Sequence, residues 1–109
     1  MNYSFELTED FRKEFKVLLK KYPSLKKDFE NLSESLLENP KQGINLGSGF
    51  KKIRLDIKSK GKGSRGGARV ITYEAIITIL ETKITFVSIY NKGEYDNVDL
   101  AILKKNLDL

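Results

Sequence analysis

The stretch Lys58–Tyr73, KSKGKGSRGGARVITY, contains Gly61-Lys62-Gly63-Ser64-Arg65-Gly66, which spells G-x-G-x-x-G letter for letter. Its reading decides between a nucleotide-binding fold and a β-hairpin. A dinucleotide fingerprint follows a strand and opens a helix, because the pyrophosphate sits on the helix N-terminus. Here the glycines run into Ala68-Arg69-Val70-Ile71-Thr72-Tyr73, a β-branched and aromatic run of strand type. A P-loop fails as well. Gly61 and Gly66 have its separation, but residue 67 is Gly where Lys is needed, and no helical pattern follows. A kinase glycine-rich loop does lie between strands, yet the chain holds neither H-R-D nor D-F-G. The segment therefore predicts a mobile hairpin tip, with four glycines among residues 61–67. Lys58, Lys60, Lys62 and Arg65 ride on that tip and can follow a phosphate backbone.

The flanks of the tip read as strands. FKKIRLDI, residues 50–57, alternates, with Phe50, Lys52, Arg54 and Asp56 on one face and Lys51, Ile53, Leu55 and Ile57 on the other. Residues 68–80 form the returning strand, Glu81-Thr82-Lys83 the next turn, and residues 84–90, ITFVSIY, a central strand apolar on both faces. Upstream, residues 2–7 alternate as a short strand. Thr8 caps a helix carrying Phe11, Phe15, Leu18, Leu19 and Tyr22. Pro23 stops it, and Ser24 is expected to cap a second helix carrying Leu25, Phe29, Leu32 and Leu36, ended by Asn39-Pro40. After the Asn91–Glu94 turn, Asp96 or Asn97 is expected to cap a last helix with Leu100, Leu103 and Leu107. The fold class is α+β in the order β-α-α-β-β-β-α. An antiparallel sheet carries an N-terminal helical hairpin packed on it, in a single domain over 1–109.

Charge and composition bound the chemistry. The chain has neither Cys nor His, which excludes disulfides, thiolate chemistry, Cys/His zinc sites and the usual general base. No metal or cofactor is expected. The N-terminus MNYSFELTED lacks an apolar h-region, and the longest apolar run, Ala75–Leu80, is far too short to span a bilayer. The expectation is a cytoplasmic protein with no membrane partner. Residues 1–43 carry eight cations and eight anions, whereas residues 44–109 carry twelve and seven, so the net charge of +5 sits in the second half. Between Lys51 and Arg69 stand eight cations and one anion, Asp56. A one-sided basic stripe is an electrostatic footprint for a polyanion. The plain alternative is a solvated loop.

Lys52 and Arg54, two apart, project from one strand face, and pairing with residues 68–80 brings Arg69 near them. Like charges at close range disfavour ionisation, so a lysine among them should release its proton more readily. Arginine grips phosphate bidentately. Such a set can cleave RNA without histidine. One group helps the 2′-hydroxyl attack its 3′-phosphate, one neutralises the phosphorane, and one protonates the leaving 5′-oxygen. A non-catalytic basic docking face for nucleic acid or an acidic partner fits the same residues.

The β-α-α-β-β-β order, the segment FKKIRLDIKSKGKGSRGGARVITY and the closing ITFVSIYNKGEYDNV resemble small toxins of the RelE/ParE superfamily of toxin–antitoxin systems, in the RelE-like subgroup. The resemblance covers essentially the whole chain. It implies a ribosome-dependent mRNA endoribonuclease, or mRNA interferase, that inhibits translation, with a cognate antitoxin, the ribosome and mRNA as partners. ParE-type members share the fold and poison DNA gyrase instead. By position it implies Lys52, Arg54 and Arg69 as acid/base and phosphate-stabilising groups. The family's arginine after the last strand and its later tyrosine fall on Gly93 and Asp99, and Lys92, Tyr90 and Tyr95 stand nearby as substitutes. Tyr95 is taken as the fourth catalytic candidate. Lys51, Lys58, Lys60, Lys62, Arg65, Lys92 and Tyr90 are taken as RNA-binding candidates.

Overall fold

The structure is a computed structural model that describes residues 2–94 and 99–109, with the backbone alone at Ser64. It is an α+β fold. The elements run β1 (Asn2–Leu7), α1 (Glu9–Lys21), α2 (Leu25–Glu38), β2 (Ile44–Gly47), β3 (Phe50–Leu55), a 3-10 turn (Lys58–Lys60), the single-turn helix α3 (Gly63–Gly66), β4 (Ala68–Thr78), β5 (Glu81–Asn91) and α4 (Leu100–Asn106). The five strands form one sheet in the order β1-β5-β4-β3-β2. The expected meander β3-β4-β5 is present and antiparallel, but the sheet is mixed, because β1 lies parallel to β5. A short strand β2, absent from the expected order, adds to the far edge.

One sheet face carries the main core. Phe11 and Leu18 of α1 and Leu25, Leu32 and Leu36 of α2 pack on Ile53, Leu55, Val70, Phe86 and Ile89. The alternation of FKKIRLDI thus sorts as its period predicts, with Ile53, Leu55 and Ile57 buried under the helices. Phe11, Phe29 and Phe86 meet with ring centroids 4.8–5.7 Å apart, the offset and edge geometries aromatic pairs favour. The opposite face holds a smaller cluster of Phe50, Ile71, Val87 and Tyr90, on which Leu100 and Leu103 of α4 and Leu107 at its C-terminal end pack. No helix among the described residues is long and apolar enough to cross a membrane.

Thr8 caps α1 as expected. Its hydroxyl oxygen accepts from the Phe11 amide at 3.0 Å and donates to the Val87 carbonyl at 3.0 Å, tying helix to sheet. Thr8→Ala should lower stability by about 1–2 kcal/mol, seen as a lower urea midpoint at unchanged slope. Ser24, in contrast, sits in helical backbone and makes no cap. Its hydroxyl donates instead to Asp28 Oδ2 at 2.6 Å and accepts from the Ser59 amide at 2.8 Å. The expected α4 caps Asp96 and Asn97 lie outside the described residues. The cap is Asp99, whose carboxylate accepts from the Ala101 amide at 3.0 Å. The turn between β4 and β5 is Ile79-Leu80 rather than Glu81-Thr82-Lys83, and β5 begins at Glu81 opposite Thr78.

Beyond Phe86, β5 has no β1 partner, and α1 takes over that edge. Glu14 accepts from the Ile89 amide at 3.3 Å and the Ser88 hydroxyl at 3.2 Å. Burial, opposed by these two hydrogen bonds, holds the Glu14 carboxyl above its ordinary value of 4.5. A raised acid costs stability while it is ionised, and that cost fades as pH falls through its folded pKa. Glu14→Gln keeps an acceptor for Ile89 and removes the charge. The variant should match or exceed the wild-type melting temperature at about pH 7, with the difference gone near pH 4, where a normal carboxyl protonates.

Candidate functional site

The face opposite α1 and α2 brings the strand cations together. Arg54 lies directly opposite Arg69, and Arg69 directly opposite Tyr90, so the three form one row across β3, β4 and β5. Such neighbours stand about 5 Å apart at Cβ. Lys52 sits two residues along β3, opposite Ile71 and about 7 Å from Arg54 along the strand. Like charges directly opposite destabilise a sheet, so the Arg54–Arg69 pair is a cost that the fold bears.

Lys52, Arg54 and Arg69 line one open concavity of 680 Å³. Its other wall is Gln42, Gly43 and Ile44, a segment for which the sequence reading assigned no role. Gly43 lies at φ +101°, and a Cβ there would stand 2.8 Å from the Ile53 side chain and 2.9 Å from the Lys52 carbonyl. That close approach lets the wall reach β3. The glycines at 43, 47 and 49 around Ile44-Asn45-Leu46 were the available signal of a short hairpin.

Arg69 is held in place by backbone. Its Nη2 donates to the Arg65 carbonyl at 2.9 Å and its Nη1 to the Ala68 carbonyl at 3.1 Å. Burial, then the neighbouring Arg54, pushes its pKa below the ordinary guanidinium value, and Tyr90 counters this. It stays a cation at neutral pH. Tyr90 is buried against the α4 leucines. Burial raises its pKa while Arg69 draws it down, so the phenol is protonated at neutral pH.

The glycine-rich segment is not the bare mobile hairpin tip that its composition predicts. Lys58–Lys60 and Gly63–Gly66 form helical turns, the first of them anchored to the α1–α2 junction. The Lys58 amide donates to the buried Asp28 carboxylate at 3.0 Å, and Ser59 bonds Ser24. Lys60 Nζ donates to Asn91 Oδ1 at 2.5 Å and lies 5.7 Å from the Tyr22 ring centre. Asn91 in turn donates to the Tyr22 hydroxyl at 3.1 Å. Glycines supply the backbone shape, but side chains from three other elements fix it.

The RNA-binding candidates therefore separate. Lys62 and Arg65 are exposed on the tip, and Lys92 is exposed in the turn after β5. Lys58 is exposed and bonded to Asp56 at 2.6 Å, the hydrogen bond that raises its pKa. Lys60 is partly buried in the Tyr22–Asn91 cage. Lys51 lies on the helix face, 3.0 Å from both Glu74 and the Pro40 carbonyl, away from the concavity. Tyr95 lies outside the described residues. Gly93 occupies φ +92°, backbone that an arginine would adopt only under strain, and Asp99 is the α4 cap. Both departures from the resembled pattern thus have local backbone reasons.

Among the described residues no group of three or more His, Cys, Asp or Glu side chains could hold a metal ion. The arrangement suits binding of an extended anion, with cations on the concavity and more on the adjoining tip. No family model matches the chain.

Proposed function

We propose that this protein is a toxin of a toxin–antitoxin pair that cleaves mRNA on the ribosome with Lys and Arg side chains. The observation that carries this reading is the Arg54–Arg69 pair with Lys52 beside it, the three cations lining one concavity. In the reaction the 2′-oxygen bonds to phosphorus as its proton leaves to a base. The bond from phosphorus to the 5′-oxygen breaks, and that oxygen gains a proton. The products are a 2′,3′-cyclic phosphate and a 5′-hydroxyl. Arg54 and Arg69 suit the phosphorane, because they stay charged throughout. Lys52, as an ammonium, suits delivery of the proton to the 5′-oxygen. Lys62, Arg65 and Lys92 suit the flanking phosphates. A chain this small, with few catalytic groups, leaves positioning of the 2′-hydroxyl to the ribosome-bound substrate.

The reading is tested by adding the protein to a reconstituted translation reaction and mapping mRNA 5′ ends by primer extension, with a ribosome-free reaction alongside. Cuts that require ribosomes support it. Intact mRNA with folded protein overturns it. One observation favours a second reading, gyrase poisoning by a ParE-like protein: Gly93 and Asp99 serve backbone geometry where a nuclease of the resembled type has functional side chains. That reading predicts inhibited DNA supercoiling and intact mRNA.

A further inference from the structure

The β4–β5 hairpin carries a feature that the basic face does not use. Its end is aliphatic and uncovered, with Ile76 81%, Ile77 51%, Ile79 88% and Leu80 65% exposed. The backbone beside these side chains is open as well. β3 accompanies β4 only as far as Tyr73, which lies opposite Phe50, and the Glu74 amide makes the last link on that side, to the Gly49 carbonyl at 3.0 Å. Ala75, Ile76 and Thr78 pair with β5 alone. Ile76, two residues beyond Glu74, presents its amide and carbonyl on the same open side. An exposed apolar strand edge is a template for another strand. Native edges are commonly blunted by Lys or Pro, and Ala75–Leu80 contains neither. A bulge at Ile77 limits the flat part to a few residues.

We infer that this edge pairs with the same edge of a second copy, Ala75–Thr78 antiparallel to Ala75–Thr78, so that two sheets join across a two-fold axis. A strand that pairs antiparallel with itself is self-complementary, as a two-fold interface requires. Charge selects the same occupant. The chain carries +5, and like copies repel, but of the eight cations between Lys51 and Arg69 the one nearest the aliphatic end, Lys51, is paired with Glu74, and the next, Lys52, stands opposite Ile71. β4 separates Ile71 from Ala75 by four residues, about 13 Å, more than one screening length at physiological salt, and Arg69 lies farther still. Near the aliphatic end the charges are matched: Glu6 pairs with Lys83 at 2.9 Å and Glu74 with Lys51 at 3.0 Å. Two copies can therefore meet there with least repulsion, and both basic concavities stay open. The surface offers no cation cluster for an anionic membrane. The inference stands apart from whatever chemistry the basic face performs.

The patch is well short of the 20–30 residues a side of a standard interface, so the dimer should be weak, with a dissociation constant on the order of 10–100 µM. Sedimentation velocity from about 1 µM to about 500 µM, bracketing that constant, reads it directly. Wild type should pass from monomer to dimer over this range, and Ile76→Lys and Ile79→Lys should each weaken dimerisation at least about tenfold. Both sites are solvent-exposed, so the variants should keep the wild-type circular dichroism and melting temperature. Hydrogen exchange adds a readout of the edge itself: the Ile76 amide should gain protection as concentration rises. Wild type that remains monomeric throughout, or variants that dimerise as wild type does, would overturn the inference. Monomeric wild type that sediments with phosphatidylcholine vesicles, and fails to after Ile79→Lys, would assign the patch to a lipid surface and overturn it equally.

Discussion

Replacing Arg69 with alanine is expected to lower the proposed ribosome-dependent mRNA cleavage by about 10²- to 10³-fold, the loss that follows removal of one preorganised donor from developing charge. Arg69 sits in the middle of the row, between Arg54 on β3 and Tyr90 on β5. Its guanidinium is fixed by the Ala68 and Arg65 carbonyls before any substrate arrives. That fixing makes it a preorganised group rather than a flexible tether. Loss of activity through unfolding gives a different signature. Arg69→Ala removes the like-charge repulsion with Arg54, so its melting temperature should stay close to that of wild type. Arg69→Lys should recover only part of the rate, because a point charge cannot reproduce a planar fork. Primer extension over a time course measures all three proteins. An Arg69→Ala rate within about threefold of wild type is too small a loss for a catalytic donor and would remove this residue from the chemistry.

Gly67→Ala should produce the largest loss of stability of any single methyl addition to the glycine-rich segment. A Cβ at residue 67 would stand 2.0 Å from the Leu55 carbonyl oxygen and 3.1 Å from the Ile57 amide. Both are backbone atoms of buried chain, so neither can swing aside. The Gly67 carbonyl also accepts from the Lys92 amide at 3.0 Å, which joins the tip to the end of β5. Relief requires β3 and β4 to separate at the row that carries Arg54 and Arg69. The expected cost is on the order of 3–4 kcal/mol, at the severe end for a single substitution. Gly61 and Gly63 supply the contrast. They lie at φ +72° and +65° with open space around a Cβ. Alanine there meets only the left-handed backbone penalty, about 1–2 kcal/mol. Urea unfolding of the three variants separates steric overlap from backbone strain. Equal midpoints would show that the narrow gap at Gly67 does not constrain the fold.

Much of this arrangement was legible in the residues. The alternation of Phe50–Ile57 placed Lys52 and Arg54 on one face and the buried isoleucines on the other. The hairpin logic then brought Arg69 near that face, and the structure sets it opposite Arg54. Thr8 was readable as a cap, because a hydroxyl before two acids and an apolar helical stripe has one local use. Ser24, a hydroxyl before an apolar helical stripe but without the two acids, did not cap, since Asp28 four residues on and Ser59 of the distant tip take its hydroxyl. The Ile79-Leu80 turn was hidden because turn chemistry is usually polar, and Glu81-Thr82-Lys83 offered a better local match. The parallel pairing of β1 with β5 joins residues nearly eighty positions apart, beyond any local pattern. The tip misled for the same reason. Its glycines signal freedom, while the bonds to Asp28, Tyr22 and Asn91 that remove it come from distant elements.

The proposed reaction is 2′-hydroxyl attack at the Lys52–Arg54–Arg69 face while mRNA is on the ribosome. The chemistry of the new ends tests this most directly. Purified ribosome complexes stalled on a defined mRNA would be mixed with the protein, and the fragments treated with polynucleotide kinase and labelled ATP, with no prior phosphatase step. Downstream fragments should label at once, because 2′-hydroxyl attack leaves them with 5′-hydroxyls, and upstream fragments should end in 2′,3′-cyclic phosphate. The same mRNA without ribosomes should stay whole. Intact mRNA in the stalled complex, or fragments bearing 5′-phosphates, would contradict it.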